Sequence, residues 1–381
     1  MRILVLSKRQ YTGKDLLDDE YGRLFELPAR LSNRGHDVRG IALSYRRRPG
    51  PSSRDLTGVK WWSVNALPAG MLAYPAICNE VTGHWRPDVI WSSSDAGHAI
   101  LGRWLSRKLD VPYVVDLYDN YESFALTGVP GLRRGLRRAC READGLTVVT
   151  HALKAFAEQR YRPIGPIAVL GNGVDTRRFV ARDRGQARIR LGIPEDARVI
   201  GTAGSITQDR GIDDLFQAFA EIARKDDRLW LAYAGPRDAT PDLYPHARTV
   251  DLGVLPQADI PELLSALDVA VVCNKDSEFG RYCYPMKLEE AIACGTPVVA
   301  ARVGDVAQRL SFNDRHLYEP GQPHSLGEKI RQLAGEPCRQ SPFTAVDWDA
   351  CTTILEAALA SAVSDRCFNA RLAGSSAGPM N

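Results

Sequence analysis

The chain has 381 residues, 44% of them hydrophobic, which is enough for two domains of ordinary size, each with its own core. Its 49 basic and 46 acidic residues nearly cancel, which argues against nucleic acid or another polyanion as the principal partner. Eight cysteines lie scattered without a Cys-x-x-Cys pair or metal-ligand spacing, so no metal is expected and they read as reduced, buried residues of a cytoplasmic protein. The apolar run Ile3-Leu4-Val5-Leu6 is too short for a signal sequence, and no apolar run is long enough to span a bilayer, so membrane contact is expected only at the surface.

In chain order, residues 3–6 read as a buried parallel strand and 11–20 as a polar, acidic loop. Residues 21–33 read as a helix with Leu24, Leu27, Ala29 and Leu31 at helical spacing, and 37–43 as a second strand. Residues 59–64 read as a strand, 71–81 as a helix, and 86–91 as a strand entered through Pro87. Residues 92–98 follow it and lead into a helix over 99–109. Open parallel sheets bind ligands outside the carboxyl ends of their strands, which makes Asp95 and His98 candidates for holding a substrate. Asp95 reads equally as a helix N-cap, and His98 as a loop or capping histidine.

The next strand, 112–116, ends in a segment carrying Asp116, Tyr118, Asp119, Glu122 and Phe124. Carboxylates bond hydroxyls and rings stack on sugar faces, so Tyr118, Asp119 and Glu122 are candidate sugar ligands; a capped turn without chemistry is the plain alternative. Residues 131–141 set Arg133, Arg134, Arg137, Arg138 and Arg141 on an amphipathic stretch that suits anionic headgroups or simply solvent. A strand over 145–150, a helix over 152–161 and a strand over 166–170 complete this half, and Asn172-Gly173 marks a tight turn.

Residues 176–197 are charged and irregular, a linker with a short helix, and 198–203 start a second sheet. The loop 204–211 precedes a helix over 212–224 with Ile212, Leu215, Phe216, Phe219 and Ile222 on one face. Strand, glycine-containing loop and helix N terminus make an anion site, where Arg210 grips phosphate bidentately. A strand over 228–234 ends at Gly235, a strand and turn over 250–255 contain Val254, and a helix (259–267) and a buried strand (268–273) follow. Within 276–304, Pro285 suits the first turn of a helix, Leu288, Ala291 and Ile292 keep helical spacing, Gly295 fits just past the end, and 296–300 is a short buried strand. Lys287 and Glu290, three apart, share a face near that helix's N terminus. A cation for phosphate and a carboxylate for hydroxyls is what a nucleotide-sugar pocket needs; a solvated pair on an amphipathic helix is the alternative. Residues 343–360, with Trp348, Ile354, Leu355, Ala358 and Leu359, read as a helix, and the small, polar tail 366–381 is expected to be disordered.

The run Leu288-Glu289-Glu290-Ala291-Ile292-Ala293-Cys294-Gly295-Thr296-Pro297-Val298-Val299-Ala300 resembles the signature of glycosyltransferase family 4, retaining enzymes with two Rossmann-like domains in the GT-B arrangement. Asn172-Gly173-Val174-Asp175, with Phe179 four residues on, resembles that family's interdomain segment, and Arg34-Gly35-His36-Asp37-Val38 its opening unit. The resemblance implies that Glu290 holds the donor ribose. The family's first glutamate falls at Tyr282, with Glu278 as a displaced equivalent, and Pro285-Met286-Lys287 resembles a subgroup with Pro-x-Lys in this loop. The family clamps the pyrophosphate with an arginine and a lysine; Ser205 and Arg210 stand there, with Arg281 and Lys287 available to complete the clamp. Gly204, Gly211, Gly235, Val254 and Gly280 complete the implied donor site. Asp95, His98, Tyr118, Asp119 and Glu122 form the implied acceptor side, with Asp119 the candidate to assist the acceptor hydroxyl.

The expectation is an α/β chain of two Rossmann-like domains with a cleft between them, 1–175 for the acceptor and 176–345 for the nucleotide sugar, and a helix over 346–365 crossing back to the first domain. The resemblance implies hexosyl transfer from a nucleotide-diphosphate sugar to a saccharide or lipid-linked acceptor, with retention of configuration and neither cofactor nor metal. Asp119, Arg210, Lys287 and Glu290 would carry the catalysis. The implied setting is bacterial surface polysaccharide or glycolipid assembly, with peripheral membrane contact through Arg133–Arg141. Two readings stay open beside it: a sugar-nucleotide 2-epimerase of the same fold recruiting Asp95, Asp119 and Glu122, and an inactive transferase-like binding subunit, which the missing glutamate and clamp arginine would explain.

Overall fold

A computed structural model describes residues 1–11, 13–48, 52–67, 70–335 and 341–375. The chain forms two compact units, Met1–Gly171 together with the segment from Trp348, and Asn172–Asp347. The first is built on an eight-stranded sheet: β1 (Arg2–Lys8), β2 (Asp37–Ser44), β3 (Ser52–Leu56), β4 (Val59–Asn65), β5 (Val89–Ser92), β6 (Tyr113–Leu117), β7 (Gly145–Val148) and β8 (Ile167–Val169). Their order is β8-β7-β6-β5-β1-β2-β4-β3, all parallel except the β3–β4 hairpin at one edge. Ile3, Leu4, Val5 and Leu6 are all fully buried, as a parallel strand covered on both faces requires. The order reverses beside β1, which pairs with β2 on one side and β5 on the other. That switch point is where an open sheet of this kind leaves room for a ligand.

After β1 the acidic segment is not a plain loop: Gln10–Tyr11 and Lys14–Asp15 pair as a short antiparallel ribbon. The buried Arg9 bonds Asp15 at 2.8 Å and Asp18 at 2.7 Å, which fixes that ribbon. The helices Arg23–Asn33, Ala96–Leu109, Leu132–Glu142 and His151–Tyr161 connect the strands. At the unit's centre Arg23 and Asp116 form an ion pair at 2.8 Å with both side chains fully buried. Asp116 also accepts from Ser93 and Thr147, each at 2.7 Å, and Arg23 donates to the Leu170 carbonyl at 3.1 Å.

The C-terminal helix, Trp348–Ser375, belongs to this first unit and packs on the helix Arg23–Asn33 and on β5 to β8. Trp348, Cys351, Leu355, Leu359 and Ala362 are buried at spacings of three and four, one face of a helix. Ile354, expected inside with Leu355, is exposed, because it lies one residue off that face. The helix runs past 365, where a disordered tail was expected. Arg366 explains the extension: it pairs with Asp110 at 2.8 Å and Asp144 at 3.4 Å and ties that turn to the unit's body. The rest of the expected tail, 376–381, lies outside the described residues.

The second unit is a six-stranded, wholly parallel sheet of β9 (Arg198–Ala203), β10 (Leu229–Ala234), β11 (Thr249–Asp251), β12 (Val269–Val272), β13 (Val298–Ala301) and β14 (Leu317–Tyr318), in the order β11-β10-β9-β12-β13-β14. Two apolar cores flank it. One holds Leu263, Leu288, Ala291 and Ile292, and the other Leu215, Phe216, Phe219 and Ile222. Val174 and Asp347 bridge in parallel, so the chain enters and leaves this unit side by side. Within the expected domain 176–345, no helix or strand was read from the sequence over 305–342. There the helices Gly304–Arg309 and Pro323–Ala334 and the strand β14 complete the unit. Among the described residues no helix is long and apolar enough to cross a membrane.

The buried pair gives a stability test. Asp116→Ala leaves the Arg23 guanidinium uncompensated in the core and should cost about 3–5 kcal/mol. Urea unfolding of the full chain should show an earlier transition; an unchanged midpoint would mean the pair is not what holds this centre together.

Candidate functional site

In the second unit the site is assembled by the helix Met286–Ala293 and the strand ends beside it. Pro285, in extended conformation (ψ 119°), immediately precedes the helix. Leu288, Ala291 and Ile292 turn into the core, and the fully buried Glu289 is spent on structure: it accepts from the Tyr284 hydroxyl at 2.5 Å, Arg309 at 3.1 Å and the Val346 N–H at 2.8 Å. Lys287 and Glu290 are left on another face. Neither side chain makes a hydrogen bond or ion pair among the described residues, although each feels the other's charge. Burial raises the Glu290 carboxyl to about 7, with Lys287 opposing the shift. Burial lowers the Lys287 ammonium; Arg210 adds to this, while Cys273, Cys283 and Glu290 oppose it.

The strand ends close in on Lys287. Gly204 ends β9 with its open face toward that side chain: a Cβ there would stand 3.8 Å from Lys287 Cε and 4.0 Å from Nζ. Gly235 ends β10 at φ 145°, and a Cβ on it would fall 1.8 Å from the Gly204 carbonyl oxygen, so glycine alone lets the two strand ends touch. Gly235 donates to the Gly253 carbonyl at 2.7 Å, which places exposed Val254 on the adjoining turn. Gly211 lies against the backbone of Asn274 and Lys275, and Gly280 against the Lys275 backbone and the Asn274 side chain. Arg210 stacks on Phe279, its guanidinium carbon 4.1 Å from the ring centroid, with Asp209 no nearer than 4.0 Å. Phe279 escaped the sequence reading; its signal was an aromatic beside the predicted Glu278 and Gly280.

Other predicted donor residues stand apart. Arg281 is exposed and pairs with Asp276 at 2.6 Å, so it is engaged elsewhere than at Lys287. Ser205 bonds Thr207 at 3.1 Å. Glu278 is exposed on the short helix Glu278–Tyr282, with half-buried Tyr282 at its end. The helix after the 204–211 loop begins with Asp213 and Asp214 in its first turn, where their negative charge opposes an anion at that end; Asp214 accepts from the Tyr318 hydroxyl at 3.1 Å and the Gly321 N–H at 2.9 Å. The cations gather instead at Lys287 and Arg210.

In the first unit, Asp95 caps the helix Ala96–Leu109. It accepts from the His98 N–H at 3.1 Å, His98 Nδ1 at 2.8 Å and the Tyr45 hydroxyl at 2.9 Å. Burial raises its pKa, but His98 and Tyr45 hold it well below the ordinary carboxylate range. His98 is buried edge-on against buried Tyr74, and its Nε2 has no hydrogen-bond partner among the described residues. Glu122 is likewise committed: Arg137 grips it at 2.7 and 2.8 Å and Arg160 approaches to 3.3 Å, so it anchors the basic helix rather than presenting a free carboxylate to a sugar. Asp119 is half-buried and accepts from the Asn120 N–H at 2.7 Å, and the Tyr118 hydroxyl donates to the Ser94 carbonyl at 3.2 Å. Two residues outside the sequence expectation also lie here: Lys8 at the end of β1 and Ser94, whose φ is 99°. Among the described residues no group of three His, Cys, Asp or Glu is placed to hold a metal ion.

Two parallel-sheet units, each with its candidate groups at the carboxyl ends of its strands, define the GT-B class, and solved structures share the fold. Sucrose-phosphate synthase from Thermosynechococcus elongatus superposes with a TM-score of 0.70 at 16% identity, covering 98% of this chain and 100% of that one. Anabaena HepE in complex with UDP gives 0.66 at 20% identity, covering 99% and 100%. Residues 23–173 match the glycosyl transferase 4-like domain and residues 197–336 the glycosyl transferases group 1 family; the chain belongs to the GT-B glycosyltransferases. It is 26% identical to the N-acetyl-alpha-D-glucosaminyl L-malate synthase of Bacillus anthracis over 84% of this chain and 87% of that protein. It is 26% identical to the 2-deoxystreptamine glucosyltransferase of Streptomyces kanamyceticus over 79% and 81%.

The burial of Glu290 is directly measurable. Carboxyl-carbon NMR of the ligand-free chain should find it titrating near 7, against an ordinary 4.5, and Lys287→Met should move the midpoint higher by removing the one opposing charge. A midpoint in the ordinary glutamate range would mean this carboxylate is solvated.

Proposed function

We propose that the chain transfers a sugar, with retention of configuration, from a nucleotide-diphosphate sugar bound by the second unit to a saccharide or lipid-linked acceptor bound by the first. The observation that carries this reading is the grouping of Gly204, Arg210 and Glu290 around Lys287, with the Lys287 and Glu290 side chains making no hydrogen bond or ion pair among the described residues. Lys287 and Arg210 neutralise the diphosphate as it leaves, which is electrostatic stabilisation of developing charge. Glu290 accepts hydrogen bonds from the ribose hydroxyls, and Pro285-Met286-Lys287 takes the place of the signature's first acid. Asp119 assists the acceptor hydroxyl. HepE, which shares the fold, has been crystallised with UDP and with UDP-glucose, which supports a nucleotide sugar as donor. The reading places the chain at the inner face of the membrane, in surface polysaccharide or glycolipid assembly.

The decisive assay incubates the full chain with a panel of nucleotide sugars and acceptors and follows the anomeric configuration of the product. A retained linkage supports the reading. Epimerised free donor would assign the chain to isomerases, and tight donor binding without turnover to binding subunits. Glu290→Ala and Arg210→Ala should each weaken donor binding by about 1.5–3 kcal/mol, the scale of a lost charge-assisted hydrogen bond. Calorimetry showing both variants binding like the parent would place the donor elsewhere.

The helix Leu132–Glu142 carries the membrane part of the proposal. Arg137 and Arg138 are held by Glu122 and Glu142; Arg134 and Arg141 are exposed, and exposed Arg133 is only loosely engaged with Glu122 at 4.0 Å, so these three face headgroups. Replacing these three with Gln should reduce sedimentation with vesicles containing phosphatidylglycerol, and more so at low salt. Equal sedimentation of variant and parent would remove membrane contact from the proposal.

A further inference from the structure

The Lys8 ammonium lies at the carboxyl end of β1, at the point where the first unit's strand order reverses. It is half-buried, lies over the Tyr118 and Phe124 rings at 5.7 and 5.3 Å from their centroids, and makes no hydrogen bond or ion pair among the described residues. The rings recover part of what the ammonium lost in leaving water, and its three N–H donors have no protein acceptor among the described residues. A partly desolvated cation left so is costly unless a ligand completes it.

The surroundings say what that ligand is. Two carboxylates act on Lys8, those of Asp95 and Asp119. Asp95 has its three donors from Tyr45 and His98 and stays with them. Glu122, the other acid on this strand end, is neutralised by arginines. The single charge of Lys8 is thus outnumbered by the two carboxylates that act on it, which disfavours a further anion at the ammonium and accepts a neutral ligand. The backbone is strained at the same spot. Ser94 stands at φ 99°, pinned by its own N–H to the Tyr121 hydroxyl at 2.9 Å, by its carbonyl to the Tyr118 hydroxyl, and by its hydroxyl, which accepts from the Lys8 N–H at 3.0 Å. Such strain persists where surrounding bonds over-determine a conformation, and it collects at ligand sites.

We infer that Lys8 sets acceptor specificity: with Asp119 it brackets one hydroxyl of an uncharged, hydroxyl-rich ring, Lys8 donating to the oxygen and Asp119 accepting the proton side. This rests on the proposed glycosyl transfer and narrows its acceptor to a neutral saccharide or polyol at the ring that docks.

Ligand-observed NMR on the full chain, with UDP present, tests it using matched pairs: myo-inositol against inositol 1-phosphate, and methyl glucoside against glucuronate. The neutral member of a pair should bind better, and Lys8→Met should weaken it at least tenfold while UDP binding, read by calorimetry, is unchanged. Lys8→Arg, which keeps the charge, should retain part of the affinity. A preference for the charged members, or a Lys8→Met variant that binds the neutral ring as the parent does, overturns the inference and leaves glycosyl transfer standing. The same holds if UDP binds and no neutral member does. If the parent chain binds no nucleotide or nucleotide sugar at all, the donor site is wrong and both ideas fall together.

Discussion

Glu289 and Glu290 are neighbours in sequence and opposites in environment. A helix turns 100° per residue, so two adjacent glutamates must face different surroundings. Glu289 is surrounded by a tyrosine hydroxyl, a guanidinium and a backbone N–H, and it fixes the helix to the turn before it and to the strap at Val346. Glu290 has no such bonds, and burial raises its carboxyl to about 7 with only the charge of Lys287 opposing the shift. The second unit depends on this separation. One acid locks the helix in place so that the other, with Lys287, is presented with its bonding capacity unused.

A preorganised pair of this kind has a cost that the fold carries elsewhere. Burying an unpaired ammonium and an unpaired carboxyl is unfavourable, and the surrounding sheet, with two apolar cores on its faces, must hold them in place. Gly204 and Gly235 contribute by letting β9 and β10 end in contact, which brings backbone rather than side chains up to Lys287. Arg210 reaches the same place from the next loop, steadied on the Phe279 ring rather than by a tight ion pair, so its charge stays available.

The first unit solves a related problem differently. Its central charge, Arg23 with Asp116, is fully compensated and belongs to the core, whereas the charge at the strand ends is only partly matched. Of the acids a sequence reading collects there, Asp95 and Glu122 turn out to serve caps and ion pairs, and Asp119 keeps an exposed portion. The C-terminal helix closes this unit by laying its apolar face on the same sheet.

Much of this was written in the sequence because it depends on local periodicity. Buried parallel strands are continuous apolar runs, the helix Met286–Ala293 follows from its spacing and from Gly295 at φ 73°, and Lys287 and Glu290 share a face because they are three apart. The family signature in 288–300 lies within one such stretch. What sequence could not decide is which charges meet. Glu122 and the arginines that hold it are 15 and 38 positions apart, and Arg366 reaches Asp110 across 256. Lys8 acquires its place only when β1, β5 and β6 lie side by side. Hydrophobic pattern is a property of neighbours along the chain and survives without coordinates. Whether a carboxylate is free or already bonded depends on contacts distant in sequence, and the folded sheet alone settles that.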